Sequence, residues 1–476
     1  MNVRPLPRSE AGDPAAIVDV IVIGSGAAGV GAALEAAEAG ASVLVLERAG
    51  GTGGAAAQAG GIIYLGGGTK TQIDAGISDT KEAMEAYLLA ACGPAPDREK
   101  IALYAKESVA HHDWFVDHGV EFEPTLTEEV QMEPTGTEGL VWSGGENAWP
   151  FNATIPAAPR GHLAKTPNAT GWLTMKCLHE ALSKTEAEIR FDTTAERLIV
   201  EDGRVVGVRA TSFGETVDFI ARGGVVVATG GFVHNDEMLS SYAPTVKKGS
   251  WKVGTDADDG RGISMLLAMG AATKSMHAGE CALPLTPPKQ LTTGILVNRH
   301  GQRFINEDTY NGRIGQRSLY RHDATIYLIV DEAAYAPTWL GLAATVVAET
   351  VEEIETELGF VPGSLQCTID LYNRYAALGQ DPLFHKDPAF VRPLVGPLGV
   401  MEVKRNTIPY AVFTLGGAIT TIDGEVVHVD GSTIPGLYAA GRTTSGVCSF
   451  GYASGLSIGD STFFGRRAGR AAAQRA

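Results

Sequence analysis

Residues 17–23 (IVDVIVI) form an apolar, β-branched run, the pattern of a strand buried on both faces of a parallel sheet. Gly24-Ser25-Gly26-Ala27-Ala28-Gly29 follows, then a helical stretch over 30–39 that Gly40 closes as a C-cap. A second strand is predicted over 41–46, with Glu47 at its C-terminal end. Further along, 223–227 reads as a buried strand ending in the small-residue turn Ala228-Thr229-Gly230-Gly231. Residues 434–442 (IPGLYAAGR) repeat that strand-to-turn pattern near the C-terminus. Between them, 294–307 (GILVNRHGQRFINE) predicts a hairpin with a His-Gly turn, and 338–358 predicts a helix. Glu349, Glu352, Glu353, Glu355 and Glu357 read as the solvated face of that helix. Residues 147–162 are an irregular, Pro-rich loop, and a last helix is predicted to start near Ser457.

The first segment is a βαβ unit with a G-x-G-x-x-G turn, and its parts have separate physical roles. Gly24 makes the tight turn, Gly26 admits a pyrophosphate to the backbone, and Gly29 lets helix and strand pack closely. Ala27 and Ala28 belong to the turn, and the helix that follows faces the phosphates with its free N–H groups and positive dipole end. Glu47, with Arg48 beside it, stands where an acid accepts hydrogen bonds from an adenosine ribose and disfavours a 2′-phosphate. A dinucleotide is therefore expected here.

Composition narrows the class. The hydrophobic fraction of 44% fits a packed globular protein, with two or three domains in 476 residues. The net charge of −17 makes nucleic acid and anionic membrane poor partners. No run of 18 uncharged apolar residues suggests a transmembrane segment, and the N-terminus has no apolar signal-peptide core. Five scattered cysteines without a C-x-x-C argue against disulfides and a bound metal, and fit a cytoplasmic location. His111-His112, with Asp113 and Asp117, reads as part of a surface helix rather than a metal site, and Trp114 and Trp149 read as core. The 59 glycines cost conformational entropy, so they need a cause. In 50–61 (GGTGGAAAQAGG) they are too dense for a helix or strand interior, and fit a loop pressed against a flat ligand.

These pieces, spanning 17–469, resemble the flavoprotein family of fumarate reductases, succinate dehydrogenase flavoprotein subunits and 3-ketosteroid dehydrogenases. The resemblance implies an α/β fold: a Rossmann-like, glutathione-reductase-type FAD-binding domain (1–280 plus 411–476) with an inserted α+β capping and catalytic domain (281–410). It implies FAD, contacted by the phosphate turn and Glu47-Arg48, and by Gly53, Gly54, Ala55, Gly60 and Gly61 of the glycine loop. Ala228, Thr229, Gly230, Gly441, Arg442, Ser457 and Ile458 complete that set. The family usually has an acid where Arg442 stands. Succinate dehydrogenase subunits link FAD to a His in the loop matching 50–61, whereas His111 is the first histidine here, so non-covalent FAD is expected.

Two positions bear on the substrate. Fumarate reductases hold their substrate carboxylate with an Arg where this chain has Tyr452. Their proton-donating Arg falls at Asn311, immediately after Tyr310. A phenol cannot grip a carboxylate as a bidentate Arg does, but it can donate to a ketone. Tyr310 with Tyr452-x-Ser454 resembles the 3-ketosteroid Δ4-(5α)-dehydrogenases, as do 59–69, 146–150, 158–162 and 451–455. The resemblance implies that Tyr310, Tyr452 and Ser454 form a catalytic network, with Tyr452 expected as the base. The helix starting near Ser457 is expected to face the flavin N1–C2=O edge, and Tyr64 to line the substrate pocket. The expected reaction is C4–C5 dehydrogenation of a steroid-like 3-ketone, with an external electron acceptor. The alternatives are a Δ1-dehydrogenase, a soluble reductase of small unsaturated acids, and a flavin-binding sensor or scaffold without turnover.

Overall fold

The computed structural model describes residues 3–127, 135–286 and 288–476. Its main sheet has a parallel core in the spatial order Glu188–Arg190, Val43–Leu46, Ala16–Ile23, Glu215–Val227, Thr433–Ala439. The buried β-branched run thus lies at the centre of the sheet. The Glu215–Val227 strand extends well before the expected start at 223. Its first half pairs antiparallel with Arg204–Ser212, its second half parallel with Thr433–Ala439, and the register shifts between Ala221 and Gly224. One strand therefore couples a surface meander to the nucleotide-binding core.

The first helix, Ala27–Glu38, begins three residues earlier than predicted, because the alanines after Gly26 already adopt helical geometry. The predicted second strand shortens to Val43–Leu46. Within 50–61, expected as loop throughout, Gly54–Gln58 form a short helix: the GAAAQ run holds three alanines, the best helix formers, behind the left-handed Gly53.

A second packing unit contains the four-stranded sheet Ile295–Asn298, Thr325–Asp331, Leu398–Lys404, Val346–Ala348. Its hydrophobic cluster also draws in Phe232, Leu239 and Val246, which precede the expected boundary at 281. The 294–307 hairpin is only half formed. Val297 bridges Arg303, while Ile295–Asn298 pairs instead with Thr325–Asp331. The return arm is held by charge: Glu307 accepts from Arg303 (2.8 Å), Lys386 (2.9 Å) and the Leu296 N–H (2.8 Å), and Arg303 also binds Asp381. All four side chains are buried.

The predicted helix over 338–358 is confined to Val351–Leu358, because Val346–Ala348 pairs as an edge strand. Glu355 does not join the solvated face. It is buried and accepts from the N–H groups of Gly363, Leu365 and Gln366, capping the next helix. His111 and His112 are also buried, against the expectation of a surface helix. His111 Nε2 meets Thr462 Oγ1 (2.9 Å), and His112 Nε2 meets Thr71 Oγ1 (2.8 Å). Burial lowers both imidazole pKa values, so both rings sit neutral inside the packing at pH 7. Trp114 is buried and Trp149 half-buried. Among the described residues, the cysteines are free, no group of His, Cys, Asp and Glu is placed to hold a metal, and no helix is long and apolar enough to cross a membrane.

The C-terminal helix, Leu456–Ala473, packs directly on Ala27–Glu38. A Cβ at Gly465 would lie 2.3 Å from Ala28 O, and one at Gly469 2.1 Å from Ala32 O. Backbone meets backbone, so neither position has room for a side chain. Gly465→Val is expected to cost about 1–3 kcal/mol through overpacking and to lower the thermal midpoint. An unchanged midpoint would show that the helices have slack at this contact.

Candidate active site

The glycine turn forms a cradle consistent with the expected cofactor. A Cβ at Gly24 would strike Ala228 O at 2.6 Å and one at Gly29 would strike Gly24 O at 1.9 Å, so the turn is locked on its inner side. A Cβ at Gly26 would meet nothing within 4 Å. That open space lies at the N-terminus of the helix, where phosphate oxygens would be received. Gly54 reaches over the same place: its Cβ would lie 3.4 Å from Gly26 Cα. Gly61, at φ +88°, packs against the Gly171 N–H at the start of the Gly171–Leu182 helix and leaves no room for a Cβ. Gly60 accepts from the Thr170 N–H. Ala55 lies in the short helix between these contacts.

Glu47 ends its strand buried. Its Oε2 accepts from the Ser25 N–H (2.8 Å) and Ser25 Oγ (2.7 Å), and its Oε1 accepts from the Ala49 N–H. The acid thus braces the glycine turn. Arg48 is drawn to Asp259 (2.8 Å). The Thr229 N–H donates to Thr443 Oγ1 (3.0 Å), tying the Ala228–Gly230 turn to Gly441 and Arg442. Arg442, where the family usually has an acid, pairs with buried Asp258 (2.9 Å) and lies over the Phe413 ring. Asp258 Oδ1 in turn accepts from the Gly231 N–H. The unusual arginine is therefore neutralised, and it clamps two strand ends together.

A cavity is lined by Tyr87, Phe151, Glu280, Tyr310, Arg313 and Tyr452, among others. Tyr310 is the N-cap residue of the Asn311–Arg321 helix, placed there by the ion cluster around Glu307. Tyr452 and Ser454 lie in the turn that leads into the C-terminal helix. Tyr310 Oη and Ser454 Oγ are 3.1 Å apart, and the Ser454 N–H donates to Ser143 O. The Tyr452 hydroxyl oxygen accepts from the Ser457 N–H at 3.0 Å. One helix-terminal donor expected to face the flavin is thus engaged with Tyr452, while Ile458 follows in the same turn. The structure brings together all three hydroxyl residues of the expected set. Tyr64 is one ring removed from the cavity: it is fully buried and stacked behind Tyr87 at 6.3 Å.

Sequence reasoning missed Glu280, Gln316 and Gly312 at this site. Glu280 Oε1 accepts from the Tyr310 hydroxyl at 3.3 Å, and burial pushes its carboxyl up to about 8. Gln316 Nε2 donates to Phe450 O and Gly279 O, tying the Tyr452 turn to the strand that carries Glu280. No local motif marks these residues. Burial raises the Tyr452 and Tyr310 hydroxyls above the ordinary tyrosine range, so neither phenol ionises readily on its own.

Gly26→Ile should leave the chain folded, because the new side chain enters open space, but it should abolish retention of FAD. Flavin absorbance after gel filtration, read beside circular dichroism, checks this. A yellow Gly26→Ile protein would place the pyrophosphate elsewhere.

Comparison with known proteins agrees with this geometry. Residues 19–457 match the FAD binding domain family. The crystal structure of 3-ketosteroid-Δ4-(5α)-dehydrogenase from Rhodococcus jostii RHA1, in complex with 4-androstene-3,17-dione, is 45% identical. It covers 99% of this chain and 100% of that one, with a TM-score of 0.95. The 3-oxosteroid 1-dehydrogenase of Mycolicibacterium smegmatis is 28% identical over 94% of this chain and 95% of its own. The NADH:fumarate oxidoreductase of Klebsiella pneumoniae is 26% identical over 99% of this chain, which spans only 50% of that protein. The cofactor is FAD. The chain belongs to the FAD-binding flavoprotein family that includes 3-ketosteroid dehydrogenases and fumarate reductases.

Proposed function

We propose that this protein dehydrogenates a 3-keto-5α-steroid, introducing the C4–C5 double bond and passing electrons to an external acceptor. The observation that carries this reading is a cavity lined by Tyr452 and Tyr310, with Ser454 hydrogen-bonded to Tyr310, where a dicarboxylate would find no pair of arginines. Arg313 is the one cation among the described lining residues. Its Nη1 donates to Trp149 O, Asn306 Oδ1 and Thr309 Oγ1, and the guanidinium lies over the Phe151 ring. Those contacts give it a role in holding the cavity wall. The steroid named in the 45% identical structure supports the same substrate class. The five unpaired cysteines fit a cytoplasmic setting. Residues 281–410, with the 232–246 segment that shares their hydrophobic core, are the proposed cap over the substrate.

The geometry favours a different division of labour from the expected one in which Tyr452 is the base. The Tyr452 oxygen accepts from the Ser457 N–H, so its own hydrogen is free to donate to the substrate C3 carbonyl. This polarised phenol stabilises the enolate that develops as the C4 proton leaves, the role of an oxyanion-hole donor. Ser454, hydrogen-bonded to Tyr310, takes the C4 proton and passes its own onward. When bound, FAD supplies the acceptor for the C5 hydride. The chain holds the steroid, excludes water and moves the proton.

Tyr452→Phe is expected to slow anaerobic flavin bleaching by a 3-keto-5α-steroid about 10²–10³-fold while retaining FAD. Ser454→Ala and Tyr310→Phe should slow the same phase. Single-turnover reduction at the wild-type rate in Tyr452→Phe would sink this reading, and anaerobic reoxidation of the reduced enzyme by fumarate would replace it with the small-acid reductase.

A further inference from the structure

None of the three hydroxyls at the site is a base at neutral pH. A serine and two tyrosines whose ionisation is disfavoured by burial can relay a proton but cannot keep it. The hydrogen-bond chain does not end with them. Tyr310 has one hydroxyl hydrogen, and when Glu280 is ionised its Oε1, 3.3 Å away, can only accept it. The 3.1 Å contact between Tyr310 and Ser454 must then use the serine hydrogen. The chain therefore has a direction: Ser454 donates to Tyr310, and Tyr310 donates to Glu280.

The surroundings of Glu280 are shaped for its carboxyl. It lies on the Gly279–Ala282 strand, buried, at the wall of the cavity. Gly312, in the first turn of the Asn311–Arg321 helix, clears the space: a Cβ there would lie 1.9 Å from Glu280 Oε1 and 2.3 Å from Tyr310 Cε1. Any side chain at 312 would push the carboxyl and the phenol out of place. The same helix N-terminus favours a negative charge beside it.

We propose that Glu280 is the terminal proton acceptor of the site, taking the C4 proton of the substrate through Ser454 and Tyr310. This rests on the dehydrogenase reading above. The substrate C4–H bond breaks, and its electron pair stays on the steroid as the enolate held at Tyr452. The proton joins the Ser454 oxygen as the serine hydrogen moves to Tyr310 and the Tyr310 hydrogen moves to Oε1. The only net changes are one C–H bond lost and one carboxylic O–H bond gained. In this assignment Glu280 acts through Tyr310. Between turnovers, the carboxylic acid releases its proton to water.

The carboxyl must be ionised to accept. With burial holding it at about 8, the accepting form grows as pH rises through that value, and the rate of flavin reduction should rise with it. Tyr310, Arg313 and Tyr320 face the carboxyl from the helix, and Tyr452 and Cys448 from the turn before the C-terminal helix. Tyr87 stands across the cavity and Cys281 alongside on the strand. Of these, the tyrosines and thiols are held above their ordinary values by burial where a shift is resolved, and Arg313, pushed down to about 10, stays charged. None of them titrates in the window assigned to Glu280.

The test is anaerobic stopped-flow reduction of the FAD-loaded enzyme by a 3-keto-5α-steroid from pH 6 to 10, with steroid affinity read separately from the flavin spectrum. The wild-type rate should climb through pH about 8 and then level. Glu280→Gln should bind steroid normally, reduce about 10²–10³-fold more slowly, and lose the climb. Glu280→Asp should keep the climb at a lower rate, and formate should restore part of the rate to Glu280→Ala. A Glu280→Gln enzyme with a wild-type rate and pH profile would overturn the assignment while leaving the dehydrogenase reading intact. A wild-type enzyme bleached by no 3-keto-5α-steroid at any pH would overturn both.

Discussion

The contact between the phosphate helix and the C-terminal helix is the constraint on which the rest of the structure depends. Ala28 and Ala32 on one helix meet Gly465 and Gly469 on the other with their backbones in touch. The first helix begins at the phosphate turn, and the second begins at the turn that carries Tyr452 and Ser454. Locking the helices together fixes the distance between the cofactor's phosphate end and the reacting groups. A dinucleotide received at Gly26 would thereby be held in register with residues more than 400 positions away in the chain. Small residues make this possible because no rotamer can adjust at a backbone-to-backbone contact.

The second half of the site arrives from the inserted unit, and charge positions it. Glu307, Arg303, Lys386 and Asp381 are buried together, so the loop before Tyr310 cannot shift without leaving a charge unpaired. Gln316 then ties the Tyr310 helix to the Phe450 carbonyl, next to Tyr452. Hydroxyls from two separate chain segments are in this way brought within hydrogen-bond reach. Burial does the electrostatic work: it keeps the phenols protonated and raises the Glu280 carboxyl to about 8, so that its charge changes near neutrality.

The misreadings along the chain share a cause. Glu355 looked like part of a solvated acidic face, yet it caps a helix that begins nine residues later, a contact no periodicity encodes. His111 and His112 looked exposed beside Asp113 and Asp117, yet Thr462 and Thr71 come from elsewhere to receive them. The helix expected over 338–358 lost its first half to an edge strand because Leu398–Lys404 offered it a partner. Tyr452 could be singled out as functional from its place in the Gly451–Gly455 turn. The donor role proposed for it rests on the Ser457 N–H that meets its oxygen, a contact no local pattern shows.

Sequence alone determined the nucleotide-binding half. The strand, the glycine turn, the first helix and Glu47 are local, so spacing within about thirty residues was enough to place them. It also determined that tyrosines stand where arginines would bind a dicarboxylate, which points away from small acids. The tertiary structure decided what no local pattern carries: that Arg442 is neutralised by Asp258, that Ser454 reaches Tyr310, and that the chain of hydroxyls ends on Glu280. Those pairs are 30 to 184 residues apart. Their meeting is set by helix packing and buried charge, and so it cannot be read one segment at a time.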